Sequence, residues 1–323
     1  MSVMVVIQQM IIIFLLIAIG IFLFKRNMLS EMTSRQISGL IVNVTNPALL
    51  ISSSLQDGPR VPLQELGTVL AVDLVVYGIL IAVSFLIPYI LRAPNKDHYS
   101  YQMLTVFGNV GFIGIPLVTA VLGTEALIYV SIFNLIFSVL IYTLGISILH
   151  KAAMKQAAER EGNSRQDMAA EQMADSPWKK LVNVGTVSAI VAIAIYLGGF
   201  RVPEVLSSTL NYIGQSTTLL SMLVLGVSVA QMAVRDILTH PKLYGFVLIR
   251  QILLPIGCIL LLRPFFPNPL VLNTTALLLA VPAGNMPLML SKQMQVETDT
   301  ISQGIILTTV LSLVTIPVVS LFL

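Results

Sequence analysis

Two glycine-asparagine pairs stand out, each followed by a proline inside an apolar stretch long enough to cross a bilayer. They are Gly108-Asn109 leading to Pro116 (GNVGFIGIP) and Gly284-Asn285 leading to Pro287 (AGNMP). Glycine and proline both interrupt the hydrogen-bond ladder of a helix, and a freed N–H or C=O group is costly in hydrocarbon unless protein, water or a ligand satisfies it. Paired interrupted spans are the feature expected at the substrate site of a secondary transporter.

The chemistry of such a site follows from the ends of the half-helices. At an interruption the first half presents carbonyl groups and the second half presents free N–H groups, and proline suits the opening turn of the second half. We expect Pro116 and Pro287 in those turns. Two helix N-termini that meet would attract an anion such as a carboxylate. The amides of Asn109 and Asn285 would contact that ligand or cap their own helices, and capping does not exclude ligand contact.

A further polar patch lies in the second apolar span (NVTNPALLISSSL). Asn43, Asn46, Pro47 and Leu50 follow the spacing i, i+3, i+4, i+7, which places them on one helical face. A face with two amides and a proline is expected to look at protein or water rather than lipid. Asn46 adjoins the local break at Pro47 and is the preferred ligand contact. The alternative is a hydrogen bond that packs one helix against another.

Two charged residues fall inside apolar spans, Asp73 in the third and Arg250 in the eighth. Charges at membrane depth are costly and usually functional. Arg250 would attract or pair with an anion, and Asp73 would accept a proton and so couple transport to protons. The alternatives are a structural ion pair, or an Asp73 side chain that reaches the outer interface.

Composition places the chain in a membrane. Of its 323 residues 56% are hydrophobic and 10% are charged, with a mean hydropathy of +0.90, whereas about a quarter of the residues of a soluble domain are charged. Windows of about 20 apolar residues predict an all-α protein with ten transmembrane helices. The spans are 4–24, 37–55, 66–90, 100–122, 126–149, 181–198, 209–232, 243–262, 270–290 and 300–323.

Charge in the loops predicts the orientation. Alternate loops carry most of the basic residues: Lys25, Arg26, Arg35, Arg92, Lys96, Lys151, Lys155, Arg160, Arg165, Lys179, Lys180, Arg235, Lys242 and Lys292. The opposite loops hold only Arg60, Arg201 and Arg263. The positive-inside rule then puts both termini outside and the polar connection 150–180 in the cytoplasm, with Trp178 at the interface. Because Lys25 and Arg26 follow the first span, it is expected to be a retained helix rather than a signal peptide.

The two halves are expected to be inverted repeats. The separation of Gly108 from Gly284 matches, within one residue, the separation of the first and sixth spans and that of Asp73 from Arg250. Residues 1–149 and 181–323 would each hold five helices, and five is odd, so the second half enters from the opposite side. The fourth and ninth spans would then cross at their interruptions.

Other classes of protein are not favoured. The net charge of +3 lies in loops and does not imply nucleic acid. The single cysteine, Cys258, and the scattered His98, His150 and His240 give no disulfide and no metal spacing, so no metal or other cofactor is expected. The sequence has no GxSxG or HExxH motif for an intramembrane enzyme. An anion channel would also use broken helices, but an internal inverted repeat suits alternating access.

The layout resembles a known family. The five-plus-five spans, the segment GNVGFIGIPL at 108–117, the asparagine-proline pair in the second span and the Gly-Asn-x-Pro motif at 284–287 are similar to the auxin efflux carrier family, in a bacterial form with a short central loop. The resemblance covers nearly the whole chain and implies a multi-pass protein of the cell membrane.

What the family does supplies further expectations. The resemblance implies a scaffold domain and a crossover-helix transport domain, similar to bile-acid symporters and sodium/proton antiporters, which move as an elevator. It implies small organic anions as substrates, such as indole-type auxins, malate or malonate, and a homodimer. Proton coupling, sodium coupling and uniport are all compatible with the sequence. Asn109 and Asn285 fall where the family places asparagines beside the ligand. Regulation of a long central loop is not carried over.

Overall fold

The computed structural model describes residues 3–55, 62–160, 184–200, 202–231, 240–266, 268–294 and 296–323. These residues form helices and no strand. The α-helices are α1 (Val3–Lys25), α2 (Glu31–Leu40), α3 (Asn46–Ser54), α4 (Leu63–Ile90), α5 (His98–Val106), α6 (Ile115–Leu122), α7 (Leu127–Leu140), α8 (Ile146–Arg160), α9 (Val184–Gly198), α10 (Glu204–Ala230), α11 (Pro241–Val247), α12 (Leu254–Leu262), α13 (Pro269–Ala280), α14 (Met286–Gln293) and α15 (Asp299–Ser320). Most of the predicted central connection, including Trp178, lies outside the described residues.

Wider π-helical turns interrupt several of these helices. They are π1 (Ile41–Thr45), π2 (Val110–Gly114), π3 (Ile141–Gly145) and π4 (Leu248–Leu253). A proline stands two residues after the end of π1, π2 and π4, at Pro47, Pro116 and Pro255. Proline has no N–H to donate to the preceding turn, and such turns are common at functional sites.

Six helical stretches among the described residues are long and apolar enough to cross a membrane. They are Met4–Lys25, Leu63–Ile90, Thr124–Gln156, Glu204–Ala230, Pro241–Leu262 and Asp299–Ser320. Val110–Leu122, Val184–Gly198 and Pro269–Ala280 are shorter apolar helices. The predicted fourth span corresponds to α5, π2 and α6, and the ninth to α13 and α14. The described residues are therefore all-helical apart from their connections, and the chain is a multi-pass membrane protein.

The helices pack in two groups. In the frame group, α10 packs against α1 and α3, and α9 packs against α3. These contacts are close: the α-carbon of Gly20 lies 2.7 Å from a Cβ built on Gly226, and the backbone of Leu49 lies 2.7 Å from one built on Gly214. The crossing group contains α4 to α7 and α11 to α15, in which α4 packs on α5 and α12 packs on α13. The groups meet where α9 packs on α7 and α1 packs on α15.

Polar side chains tie the loops of the crossing group together at one end. Lys242 Nζ donates to Arg92 O at 2.6 Å, and Lys96 Nζ lies 3.4 Å from Glu297 Oε1. Glu297 also joins these loops to α8, because its N–H donates to Gln156 Oε1 at 3.1 Å. The loops before α5, α11 and α15 therefore share one face of the protein with the C-terminal part of α8.

A second set of contacts marks the other end of the crossing group. The Tyr129 hydroxyl donates to Glu65 Oε1 at 2.7 Å, and Asn268 Nδ2 donates to the same oxygen. These contacts join the start of α4 to the starts of α7 and α13. The beginnings of these three helices therefore share the opposite face.

Candidate functional site

The two helix interruptions predicted from the sequence meet. Gly108 and Ala283 form an antiparallel backbone bridge. On one side of it Asn109 N–H donates to Pro282 O at 2.8 Å, and on the other Gly284 N–H donates to Phe107 O at 2.9 Å. We call residues 107–109 and 281–285 the crossing. Its two segments satisfy part of the backbone that the interruptions expose.

Glycine is required where the two segments of the crossing approach each other. A Cβ built on Gly284 would lie 2.8 Å from the carbonyl oxygen of Gly108, which is backbone and cannot rotate away. A Cβ on Gly108 would lie 3.0 Å from Val281 Cγ2 and 3.2 Å from an Nη atom of Arg250. The glycines of the two Gly-Asn pairs thus allow the short distance between the two segments of the crossing.

Two carbonyl groups lose their helical donors at the crossing. In unbroken helices Asn109 N–H would donate to Thr105 O, and Ala283 N–H would donate to Leu279 O. The Asn109 N–H instead bonds across the crossing, and the Ala283 N–H donates to Thr308 Oγ1 at 3.2 Å. Thr105 and Leu279 are buried, so their carbonyl groups need other donors.

Arg250 supplies both donors. Its Nε donates to Thr105 O at 2.7 Å and its Nη1 donates to Leu279 O. These carbonyls lie in the last turns of α5 and α13, and each helix C-terminus carries about half a negative charge. The guanidinium group, 1% exposed, therefore balances both helix ends.

The sequence suggested an ion pair between Arg250 and Asp73 as one alternative, and this pair does not form. Among the described residues Arg250 has no carboxylate partner. Arg250 Nε and Nη1 donate instead to the carbonyl groups that the interruptions free. The sequence did not predict this capping role.

Asn109 caps its own half-helix and still has a free donor. Its Oδ1 accepts from Phe112 N–H at 3.2 Å at the start of π2. The side chain is buried, and Nδ2 has no partner among the described residues. Both expected roles are therefore compatible in one side chain: the oxygen caps, and the nitrogen is left for another acceptor.

Asn46 reaches the same half-helix because of Pro116. In π2, Ile115 N–H donates to Val110 O, and the next bond of that pattern would run from Pro116 to Gly111 O. Proline has no N–H, so Gly111 O is left free. Asn46 Nδ2 donates to it at 3.3 Å, while Asn46 Oδ1 is buried without a partner in the described part of the chain.

Pro287 and Pro116 take different positions in their half-helices. Pro287 is the second residue of α14, as expected. Pro116 is the second residue of α6, but π2 precedes α6 and the second half begins at Val110, so Pro116 lies about one turn beyond the start of its half-helix. Asn285 precedes α14, is half-buried, and its carbonyl accepts from Met289 N–H at 3.0 Å.

Asn43 does not share the environment of Asn46. It is exposed, and its Nδ2 donates back to Gly39 O at 2.8 Å. The expected common face assumed regular α-helix, but Asn43 lies in π1, and the wider turn changes the angle between its side chain and that of Asn46.

Asp73 lies on α4 and contacts α13, the helix that leads into the crossing. It is 1% exposed, which contradicts the alternative that it reaches the outer interface. Its Oδ1 accepts from the hydroxyl of Thr275 on α13 at 3.3 Å. Asp73 Oδ2 and the hydroxyl of Tyr77, one turn along α4, are buried without partners among the described residues. Asp73 thus links the third and ninth predicted spans within the crossing group.

Some polar residues that the sequence analysis did not single out also hold the crossing in place. Gln251, next to Arg250, donates through Nε2 to Thr308 O at 3.0 Å, and Thr308 holds Ala283. Gln251 is a polar residue within an apolar span, so it could have been identified from the sequence as a candidate site residue. Thr308 and Thr275 carry no such signal, because hydroxyl side chains are common in membrane helices.

The described residues contain no cluster of three or more His, Cys, Asp or Glu side chains that could hold a metal ion. The site is instead a pair of helix interruptions joined backbone to backbone, with the buried amide of Asn109 and the buried cation of Arg250. Paired helix interruptions of this kind are typical of membrane transporters. The family model described as membrane transport protein, the auxin efflux carrier family domain, matches residues 5–320. The chain belongs to this family. No curated protein matches the chain significantly.

Proposed function

We propose that the protein is a secondary transporter that binds a small organic carboxylate at the crossing and moves it by an elevator-type alternating-access mechanism. The observation that carries this proposal is the charge arrangement around the interruptions. Arg250 neutralises the C-terminal ends of α5 and α13. The N-terminal ends of the second half-helices, at π2 and α14, have no acidic residue in their first turns.

An anion fits these free ends. Each helix N-terminus carries about half a positive charge and N–H groups without helical acceptors. A single carboxylate would balance two such ends, and the free Nδ2 of Asn109 would donate to it. Asn46, Asn109 and Asn285, with Gly108, Gly284, Pro116 and Pro287 shaping the backbone, make up the proposed substrate site.

The packing of the helices supports an inverted repeat. If the first five spans are exchanged with the second five, α1 exchanges with α9, α3 with α10, and α7 with α15. The contact of α1 with α10 then becomes that of α9 with α3, and the contact of α9 with α7 becomes that of α1 with α15. All four of these contacts are observed. A two-fold relation between the halves requires them to occur in such pairs.

The two packing groups suggest which parts move. The frame group would be the scaffold, and the crossing group, which holds both interrupted helices and Arg250, would carry the substrate. Asn46 on the frame side bonds to Gly111 on the crossing side through one hydrogen bond of 3.3 Å, which a sliding motion can break and remake. The family resemblance to elevator carriers favours the same division.

The orientation with both termini outside is also proposed. The face that joins the loops before α5 and α11 carries Arg92, Lys96 and Lys242. The opposite face, at the starts of α4, α7 and α13, is marked by Glu65. This distribution favours the first face as cytoplasmic. A homodimer in a cell membrane is a family-level expectation.

Binding tests the site. We expect malonate, malate or indole-3-acetate to raise the melting temperature of the purified protein, since a ligand that binds only the folded state stabilises it. Asn109→Ala or Asn285→Ala should weaken binding of the same acid about tenfold or more, the cost of losing a hydrogen bond to a charged group. Asn43→Ala is the matched control, because that amide is exposed and bonded within its own helix.

Two results would contradict the assignment. If none of the three acids shifts the melting temperature or is transported in proteoliposomes, the proposed substrate class is wrong. If folded Asn109→Ala and Asn285→Ala proteins bind and transport the acid as the wild type does, the acid binds elsewhere.

Coupling to protons is proposed through Asp73, which is buried and has one carboxylate oxygen without a described partner. We expect Asp73→Asn to remove the dependence of substrate flux on an imposed pH gradient, because an amide cannot carry the proton. The measurement is uptake into proteoliposomes with pH or sodium gradients, with the exposed Asp299→Asn as control. An Asp73→Asn protein with unchanged pH dependence would exclude Asp73 as the carrier and favour sodium coupling or uniport.

A further inference from the structure

Two hydroxyl groups on α10 differ from their neighbours. Ser216 and Ser228 donate to carbonyl groups of their own helix, at 2.7 and 3.0 Å. This is the usual way for a hydroxyl to be satisfied on a membrane helix. Thr217 and Ser221 are fully buried, yet their hydroxyl oxygens have no partner among the described residues.

The position of α10 along the second predicted span can be read from its two ends. Gly214 packs on the backbone of Leu49 in α3. At the other end, Gln231 and Glu31 line the same surface pocket, where α2 begins. Helix α10 therefore runs antiparallel to α2, π1 and α3. The two segments contain similar numbers of residues between these points.

This register places the two hydroxyls at the level of Asn46 and π1. Thr217 and Ser221 follow Gly214 at i+3 and i+7, so they share the face that Gly214 presents to α3. Counting from Gly214, Thr217 lies at the level of Asn46, and Ser221 lies one turn further, at the level of π1. Helix α10 also packs against π2, the half-helix to which Asn46 is bonded.

Several buried polar atoms without partners occur on the elements that meet at this level. They are Thr45 Oγ1 and Asn46 Oδ1 on the second span, Asn109 Nδ2 at the start of π2, and the hydroxyls of Thr217 and Ser221 on α10. Buried polar atoms are nearly always bonded to protein, water or a ligand. A polar ligand that reaches both packing groups would give these atoms a partner.

We propose that Thr217 and Ser221 bind the substrate from the frame side, their hydroxyls donating to the carboxylate or to a second polar group of the same molecule opposite Asn109. This inference rests on the proposed function. It gives the frame group a direct part in substrate recognition: the crossing group supplies the helix ends and Asn109, and α10 supplies two hydroxyl donors. Movement of the crossing group along α10 would break these bonds and so release the substrate.

The test compares hydroxyls with and without partners on one helix. Thr217→Val and Ser221→Ala remove the free hydroxyls with little change in volume, and Ser216→Ala and Ser228→Ala remove bonded ones. For whichever of malonate, malate or indole-3-acetate binds the wild type most tightly, we expect the Kd and the transport KM to rise about tenfold in the first pair. The Kd should change less than about twofold in the second pair. The melting temperature without ligand should not fall in the first pair, because no protein hydrogen bond is lost.

The outcomes separate this inference from the function on which it rests. If Asn109→Ala loses binding while Thr217→Val and Ser221→Ala bind as the wild type, the crossing is the site and the α10 hydroxyls do not contact substrate. If all three variants bind normally, both proposals fail. If the first pair instead melts at a lower temperature and binds with unchanged Kd, the hydroxyls are structural and the inference is overturned.

Discussion

Replacing Gly284 with alanine is expected to reduce transport at least tenfold and to lower the melting temperature. The added Cβ would lie 2.8 Å from Gly108 O and 3.1 Å from Gly108 C, and backbone atoms cannot turn aside as a flexible side chain can. The two segments of the crossing must separate. This weakens the hydrogen bonds from Gly284 N–H to Phe107 O and from Asn109 N–H to Pro282 O. Overpacking of this kind costs about 1–3 kcal/mol.

A matched control is available in the same half of the chain. A Cβ built on Gly257, in α12, meets nothing within 4 Å, and alanine is the better helix former. We expect Gly257→Ala to melt at the same or a higher temperature and to transport normally. The measurements are melting temperature in detergent and initial uptake rate in proteoliposomes at equal protein. A Gly284→Ala protein as active and as stable as Gly257→Ala would contradict the described crossing.

Replacing Arg250 with methionine is expected to have an effect at least as large. Methionine fills most of the volume but donates to neither Thr105 O nor Leu279 O. Leaving a buried polar group without a partner costs about 1–3 kcal/mol, and here two carbonyls lose theirs. The negative ends of α5 and α13 would also face each other without the charge between them.

Lysine at this position separates charge from geometry. Arg250→Lys keeps the positive charge but lacks the planar fork that lets Nε and Nη1 serve two carbonyls at once. We expect its melting temperature and uptake rate to lie between those of the wild type and Arg250→Met. If Arg250→Met folds and transports as the wild type does, Arg250 does not hold the crossing. If instead Arg250→Met folds normally but loses only substrate affinity, Arg250 acts on the anion directly.

Much of the site could be predicted because the interruptions leave a composition signal. Glycine, asparagine and proline inside apolar spans are costly in hydrocarbon, so their presence at Gly108-Asn109 and Gly284-Asn285 marked the segments that the structure brings together. The charged residues Asp73 and Arg250 were conspicuous for the same reason. Hydropathy alone was enough to predict an all-helical membrane protein.

The sequence could not assign partners to these residues. Arg250 caps Thr105 O and Leu279 O because the N–H groups of Asn109 and Ala283 bond to other acceptors. Those acceptors are available only because two segments far apart in the chain come into contact. The position of Asn43 depended on π1, a local widening that regular helical spacing does not anticipate. For Thr217 and Ser221 the sequence shows two ordinary helical hydroxyls, and only their missing bonds distinguish them from Ser216 and Ser228.

The most direct test of the central claim is an experimental structure of the purified protein with the organic acid that stabilises it. The account predicts a carboxylate at the crossing, within hydrogen-bond distance of Asn109 Nδ2 and close to the first turns of π2 and α14, with Arg250 still bonded to Thr105 O and Leu279 O. An acid bound away from the crossing, or continuous helices through residues 107–109 and 281–285, would contradict it.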